Sequence, residues 1–212
     1  MARRSKVELN EWVARHYDAQ MDLLFLGNYR RFAADVIDRM EIRPEDEILD
    51  LASGTGRNVC LMVNALGPTG CIVGVDISQE MLRQARRRCR PHAQVTFLDA
   101  RIEEPLPFHE AFDKVCLFFA LHGFEDYDKE RILANAKEAL RPGGVLWILD
   151  YGEFDLEKLW FPLRWAFTHL ECELAVEFLR LNLKTMLTGC GFRDFVSYGF
   201  FSKHVRLLGA RK

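Results

Sequence analysis

The chain has 212 residues, 49% of them hydrophobic, enough for one full core and too few for a second independent domain of ordinary size. A formal net charge of −2 and a pI near 6.3 exclude a protein whose main work is neutralising nucleic-acid phosphates, while leaving local basic patches open. The six cysteines, Cys60, Cys71, Cys89, Cys116, Cys172 and Cys190, form no C-x-x-C pair and sit mostly in apolar runs, so they read as small buried thiols of a reducing compartment rather than as a disulfide or zinc framework.

The start, MARRSKVELNEW, is basic with no apolar segment behind it, and no run of about 18 apolar residues occurs. A soluble, cytoplasmic protein is expected, with peripheral contact at the inner membrane face left open. From about Lys6 to Met40 the pattern is two helices divided at Gly27-Asn28, a helix-stopping pair. Leu9, Trp12, Val13, Tyr17, Met21 and Leu24 share a broad face of the first; Phe32, Ala33, Val36, Ile37 and Met40 share one on the second. Either these helices cover one edge of the core, or they form a lid over a ligand site that also touches a membrane surface through Arg3, Arg4, Lys6 and Arg15.

After Arg43-Pro44 comes the stretch on which the rest depends, Glu47 to Asn58, EILDLASGTGRN. Ile48, Leu49 and Leu51 make a buried strand, Gly54 and Gly56 break it, and helical spacing resumes at Val59 and runs to about Leu66. A glycine turn lets backbone approach a ligand, and the helix start beyond it offers N–H groups to negative charge. Cys71 to Val75 is a second strand ending in Asp76, and Ser78 caps a helix to about Arg90 whose outer face carries Arg83, Arg86, Arg87, Arg88 and Arg90, ordinarily a solvated face. Val95 to Leu98 is a third strand ending in Asp99. Phe112 to Phe119 is a fourth, Tyr127 to Leu140 a helix stopped by Arg141-Pro142-Gly143-Gly144, and Val145 to Leu149 a fifth strand ending in Asp150.

Apolar strands alternating with helices predict a doubly wound, Rossmann-like α/β sheet, mostly parallel, with helices on both faces. A long aromatic helical stretch from Leu156 to Leu187 follows, containing Trp160, Phe161, Trp165 and Phe167. Two strand-like runs around a turn near Gly199 then close the sheet as an antiparallel hairpin, giving seven strands. One domain is expected, parsed as a helical lid (1–44), a ligand-binding core (45–150), a helical insert on the acceptor side (151–190) and a closing hairpin (191–212).

Ligands of open parallel sheets sit beyond the carboxyl ends of the strands. Asp50, Asp76, Asp99 and Asp150 all fall there, and Asp76 stands twenty residues after Gly56, where a carboxylate can accept both hydroxyls of a ribose. An adenosine ligand is the first inference. The dinucleotide pattern G-x-G-x-x-G fails at Val59 or at Arg57, depending on register, and no G-x-x-x-x-G-K-[ST] occurs, which excludes a P-loop.

The stretch Ile48-Leu49-Asp50-Leu51-Ala52-Ser53-Gly54-Thr55-Gly56 resembles the first motif of class I S-adenosylmethionine-dependent methyltransferases, with Ala52 where glycine is commoner. Val73-Gly74-Val75-Asp76-Ile77-Ser78 with Met81-Leu82 resembles the second, Phe97-Leu98-Asp99-Ala100 the adenine-contacting segment, and Leu121-His122 and Leu140-Arg141-Pro142-Gly143-Gly144 the later ones. The likeness covers about residues 45 to 150. It is nearest the group that includes ubiquinone and menaquinone biosynthesis methyltransferases and bacterial phospholipid N-methyltransferases, on Tyr17-Asp18, the Leu-Pro-Phe and Pro-Gly-Gly segments and the aromatic insert.

That resemblance implies S-adenosyl-L-methionine as cofactor, with Asp76 and Ile77 at the ribose, Asp99, Ala100 and Met81 at the adenine side, and Ala52, Ser53 and Gly54 at the methionine end. Asp50 would hold the turn, Gly56 shape it, Asn58 help position the amino acid and Phe118 line the site. His122 is the candidate base, equally readable as a structural histidine. Tyr17, otherwise a core residue, and Tyr151 are candidates to orient the acceptor, a small molecule or lipid such as a phospholipid head group or quinone precursor. Methyl transfer needs an oriented acceptor and exclusion of water more than a side-chain nucleophile. His169 and Cys172 lie one turn apart, but two ligands make no metal site, and none is expected. The rival readings are an NAD(P)-dependent oxidoreductase and a non-catalytic, methyltransferase-like binding subunit.

Overall fold

The computed structural model describes residues 11–158, Arg164 and 173–212. The expected aromatic insert around Trp160, Phe161, Trp165 and Phe167, with His169 and Cys172, lies outside the described residues, as do Arg3, Arg4 and Lys6.

Two helices lead, α1 (Glu11–Leu24) and α2 (Tyr29–Asp38). The core alternates β1 (Glu47–Leu51), α3 (Val59–Met62), β2 (Cys71–Asp76), α4 (Gln79–Arg88), β3 (Val95–Asp99), β4 (Phe112–Phe118), α5 (Asp126–Ala139) and β5 (Leu140–Tyr151). After it come α6 (Glu173–Phe178), α7 (Leu183–Gly189), β6 (Arg193–Phe200) and β7 (Val205–Arg211). The seven strands form one sheet in the order β3-β2-β1-β4-β5-β7-β6. Pairings from β3 through β5 are parallel, and β7 runs antiparallel to both β5 and β6. Strand order reverses between β1 and β4, so the carboxyl ends of those two strands frame the natural ligand crevice.

One core face packs Leu49, Leu51, Val115 and Leu117 against α5, α6 and α7; the other packs Ile48, Ile72, Cys116 and Leu207 against α2 and α3. Each such buried aliphatic side chain contributes about 1.5–3 kcal/mol. α1 keeps part of the expected apolar face, with Val13, Tyr17 and Met21 half-buried and Met21 packed on the core, but Ala14 is the one fully buried residue and Trp12 and Leu24 face solvent.

Three local expectations change. Cys60 and Cys89 are joined as a disulfide, against the reading of six free thiols. α3 and the end of α4 meet under the glycine turn with the two Cα atoms 5.8 Å apart, a proximity that the 29-residue separation in sequence does not reveal. Arg141-Pro142-Gly143-Gly144 does not separate α5 from β5 but bulges within the strand, the register passing from Phe112↔Leu140 to Lys114↔Val145 with Gly143 at φ +80°. The hairpin turns at Phe201-Ser202-Lys203, three residues with positive φ, whereas Gly199 stays in β6 opposite Arg206.

Candidate functional site

The loop after β1 is built from left-handed residues: φ is +59° at Ala52, +54° at Gly54 and +70° at Gly56. At Gly56 an added Cβ would lie 2.9 Å from that of Ala85, so glycine lets α4 pack against the loop; at Gly54 the same space is open. Ala52 alone carries a methyl group in this conformation, which costs about 1–2 kcal/mol. Ala52→Gly should therefore leave the unfolding free energy unchanged or raise it by up to about 1 kcal/mol, after the loss to unfolded-chain entropy. Ala52→Val, β-branched at positive φ, should lower it. Denaturant melts of the two variants check both signs.

The loop is tied to the end of β2. Asp76 accepts hydrogen bonds from the backbone N–H of Gly54 (2.8 Å) and of Ser78 (2.8 Å), and Ser53 N–H donates to the Val75 carbonyl (2.9 Å). Asp76 faces Asp99 across paired strands, and the Ala100 N–H reaches the Asp76 carbonyl (3.2 Å). Asp99 itself is exposed and accepts from Gln79. Ser78 caps α4 by accepting from the Met81 N–H, which seats Met81 in the core; Ile77 is half-buried beside it.

Asp50 is 2% exposed and pairs with no cation among the described residues. Burial, and secondarily the neighbouring Asp76, push its carboxyl from 3.8 up to about 8; burial also raises Asp76, against its backbone hydrogen bonds. The Ser53 hydroxyl is buried without a hydrogen-bond partner. An open cradle at Gly54, an orphaned hydroxyl and a partnerless carboxyl fit a ligand that brings polar groups and a positive charge.

α1 is fastened across this loop. Asp18 accepts from the Thr55 hydroxyl (2.7 Å) and pairs with Arg88, which also donates to the Thr55 carbonyl (2.6 Å). Arg57 pairs with Asp22 (2.5 Å) and lies over the Tyr29 ring (4.4 Å), while the Tyr29 hydroxyl donates to Asn58 Oδ1 (3.0 Å). Part-exposed ion pairs contribute at most about 1 kcal/mol each, so the closure depends on the network. Asn58 is thus engaged from α2, and Tyr17 is half-buried on α1 next to Asp18, one of two residues of that helix, with Asp22, that reach the loop.

At the carboxyl ends of β4 and β5 lies a second group. His122 sits in the 3₁₀ turn Leu121–Gly123, its Nδ1 2.7 Å from Asp150 Oδ1. Asp150, 2% exposed, also accepts from the backbone N–H of His122 (3.1 Å) and of Tyr151 (2.8 Å). A carboxylate held by three donors assigns the imidazole proton to Nδ1 and the basic lone pair to Nε2. The His122 ring lies 5.0 Å from that of Tyr151, which lies 6.3 Å from Phe119; Phe119 is 6.3 Å from Phe25. Phe118 is packed into the core beneath.

The glycine loop, Asp50, Asp76, Asp99 and Ala100 lie together at the carboxyl ends of β1, β2 and β3, and His122 and Tyr151 lie together at those of β4 and β5. Sequence reasoning missed Asp150 as the partner of His122, and it missed the clasp of Asp18, Thr55, Arg57 and Arg88. Nothing in the run of five arginines singles out Arg88. Among the described residues, no group of His, Cys, Asp or Glu side chains is arranged to hold a metal.

Residues 48–144 match the methyltransferase domain family. The chain is 34% identical over 156 residues to the ubiquinone/menaquinone biosynthesis C-methyltransferase UbiE of Burkholderia mallei, covering 73% of this chain and 61% of the relative. It thus spans about three fifths of the length of the curated relatives it matches. A SAM-dependent methyltransferase from Aquifex aeolicus superposes with a TM-score of 0.63 at 18% identity, over 84% of this chain and 88% of that one. A putative O-methyltransferase from Nostoc punctiforme gives 0.71 at 18% identity, over 95% of this chain and 60% of that one. At such identities the likeness is one of fold.

Proposed function

The chain belongs to the class I S-adenosylmethionine-dependent methyltransferases, and from that premise we propose that it methylates an amphiphilic acceptor whose proton is removed by His122. The observation that carries this reading is the His122–Asp150 pair, set at the carboxyl ends of β4 and β5, on the side of the sheet where the glycine loop leaves β1. A non-catalytic binding subunit would keep such a pair only as a structural contact, and the turnover of His122→Gln separates the two. The bound S-adenosylmethionine would supply the methyl group on a sulfonium, for in-line displacement by the acceptor.

The chain's residues take these roles. Asp76 receives the ribose hydroxyls on the lone pairs its backbone donors leave, and Ile77, Met81, Asp99 and Ala100 border the adenine. Ala52, Ser53, Gly54 and Gly56 present the loop to the methionine end, where Asp50 meets the positive charge of the α-ammonium group, which S-adenosylhomocysteine keeps. Asn58, held by Tyr29, keeps the helix start in place, and Phe118 backs the wall. Asp150 orients His122, and Tyr151 and Phe119 hold the acceptor's apolar body and exclude water. Tyr17 approaches the acceptor from the lid. The parsing into lid, core, insert and hairpin follows from these roles.

A quinone precursor methylated at carbon is the favoured acceptor: the relative at 34% identity carries that activity in its name, and an aromatic wall suits a flat ring. Calorimetry with S-adenosylhomocysteine should show saturable binding, weakened by at least about tenfold in Asp76→Ala through loss of hydrogen bonds to a charged group. Stabilisation by NAD(P)H and not by S-adenosylhomocysteine would replace this reading with an oxidoreductase. Labelled cofactor offered with quinone-precursor and phospholipid extracts identifies the acceptor, and transfer into phospholipid would move it to a head-group amine.

A further inference from the structure

We propose that the α1–α2 turn and the tip of the β6–β7 hairpin form one docking surface for an anionic lipid bilayer, a surface that deepens the amphiphilic-acceptor reading and rests on it only for its purpose. Rings join the two elements: Phe201 lies 5.6 Å from Phe25 and 5.2 Å from Phe32. Around that joint the apolar side chains point into solvent, with Leu23 77%, Leu26 84% and Phe201 54% exposed. Leu26 and Phe201 both hold left-handed backbone, φ +50° and +48°, a conformation that costs a residue bearing a side chain about 1–2 kcal/mol.

Charge selects the occupant. Arg30 and Arg31 open α2 directly after this turn, and Lys203 follows Phe201; all three are exposed and make no ion pair among the described residues. Of the nearby acidic side chains Asp22 is compensated by Arg57, Asp35 by Arg39 and Glu153 by Arg206, which leaves Asp38 at the far end of α2 against the three cations. A local excess of unpaired cations on a chain of net charge −2 complements lipid phosphates. Apolar residues on two turn tips enter the boundary between head groups and acyl chains, whereas a stable protein interface buries about 800 Å² per partner over a continuous face. The surface also leads inward. From Phe201 the rings of Phe25, Phe119, Tyr151 and His122 succeed one another at 5.6, 6.3, 6.3 and 5.0 Å, an apolar path from the bilayer to the base. The cations are not those of the amino-terminal run Arg3, Arg4 and Lys6.

Co-sedimentation with vesicles tests it, using phosphatidylcholine alone or mixed with phosphatidylglycerol. The protein should bind the mixed vesicles at low salt, release at high salt and ignore the neutral ones. Arg30→Glu, Arg31→Glu and Lys203→Glu together should weaken binding by at least about tenfold, and Leu26→Asp with Phe201→Asp should do so at low salt as well. S-adenosylhomocysteine affinity should be unchanged in both variants and the melting temperature unchanged in the charge-reversal one, whose side chains are exposed; Leu26→Asp with Phe201→Asp gives up the ring contacts of Phe201 and should melt somewhat earlier while still folding. Wild-type protein that stays in the supernatant overturns the proposal, as do variants that bind like wild type. So does a dimer in solution that Leu26→Asp with Phe201→Asp dissociates without any vesicle binding, which would assign the patch to a second copy. Cofactor-analogue binding without vesicle binding removes the docking surface alone; vesicle binding without it removes the methyltransferase reading alone.

Discussion

His122→Gln should lower kcat by about 10²- to 10⁴-fold, the usual contribution of a positioned base, while changing the affinity for S-adenosylhomocysteine by no more than about twofold. Glutamine can still bond to Asp150, so the turn Leu121–Gly123 should keep its shape; what is lost is the basic nitrogen. Asp150→Asn should act in the same direction through the imidazole. Asp150 takes the Nδ1 proton and two backbone N–H groups, and an amide supplies one acceptor oxygen where the carboxylate supplied two. The imidazole is then no longer held as the Nδ1–H tautomer, and its Nε2 loses basicity. A buried donor left without a partner costs about 1–3 kcal/mol, so Asp150→Asn should also melt earlier, whereas His122→Gln should not. The glycine loop lies on β1 and β2, and neither side chain touches it, which is why cofactor affinity should hold. Unchanged kcat in His122→Gln, with binding intact, would reduce the pair to a structural contact and leave proximity and orientation as the source of catalysis.

Legibility followed the range of the interactions. The order of strands and helices, the glycine turn, and Asp76 and Asp99 at adjacent strand ends were readable because each rests on a local pattern: apolar runs, glycines at a turn, an acid at a strand end. The sheet then brings equivalent strand ends together, so residues distant in sequence could be grouped without knowing any contact. Three kinds of feature were not readable. Cys60 and Cys89 depend on how closely α3 and α4 pack, which is set by Gly56 against Ala85 and leaves no mark on cysteine spacing. The clasp of Asp18, Thr55 and Arg88 needs the direction in which α1 crosses the loop, which the helix's apolar face, half-buried at Val13, Tyr17 and Met21, does not give. Two strand-like runs place the hairpin turn near Gly199, yet Phe201, Ser202 and Lys203 form it, all with positive φ. The Gly199 position is occupied by strand pairing with Arg206, so ladder register outweighed local preference.

Cofactor affinity should depend on pH through Asp50. Its carboxyl is raised to about 8, so near neutrality the unliganded protein holds it mostly protonated. A ligand that places a positive charge beside it favours the carboxylate, and binding then releases a proton. The dissociation constant of S-adenosylhomocysteine should fall about tenfold per pH unit on approaching pH 8 from below and level off above it. Asp50→Asn should flatten that profile and weaken binding most at high pH. Stability runs the other way. With the folded-state value above the unfolded 3.8, the native protein binds more protons than the unfolded chain between about pH 4 and 8. The Asp50 contribution to stability is therefore full below about pH 4 and is lost as pH rises, by about 1.4 kcal/mol per unit until pH 8. Bound ligand should offset this loss, so the protection it gives in a thermal melt should grow with pH in the wild type and stay constant in Asp50→Asn. Buffers of differing ionisation enthalpy in calorimetry read the released proton directly. A pH-independent dissociation constant from pH 6 to 9 in the wild type would show that Asp50 does not meet the ligand's charge, leaving the half-buried Asp76 for that role.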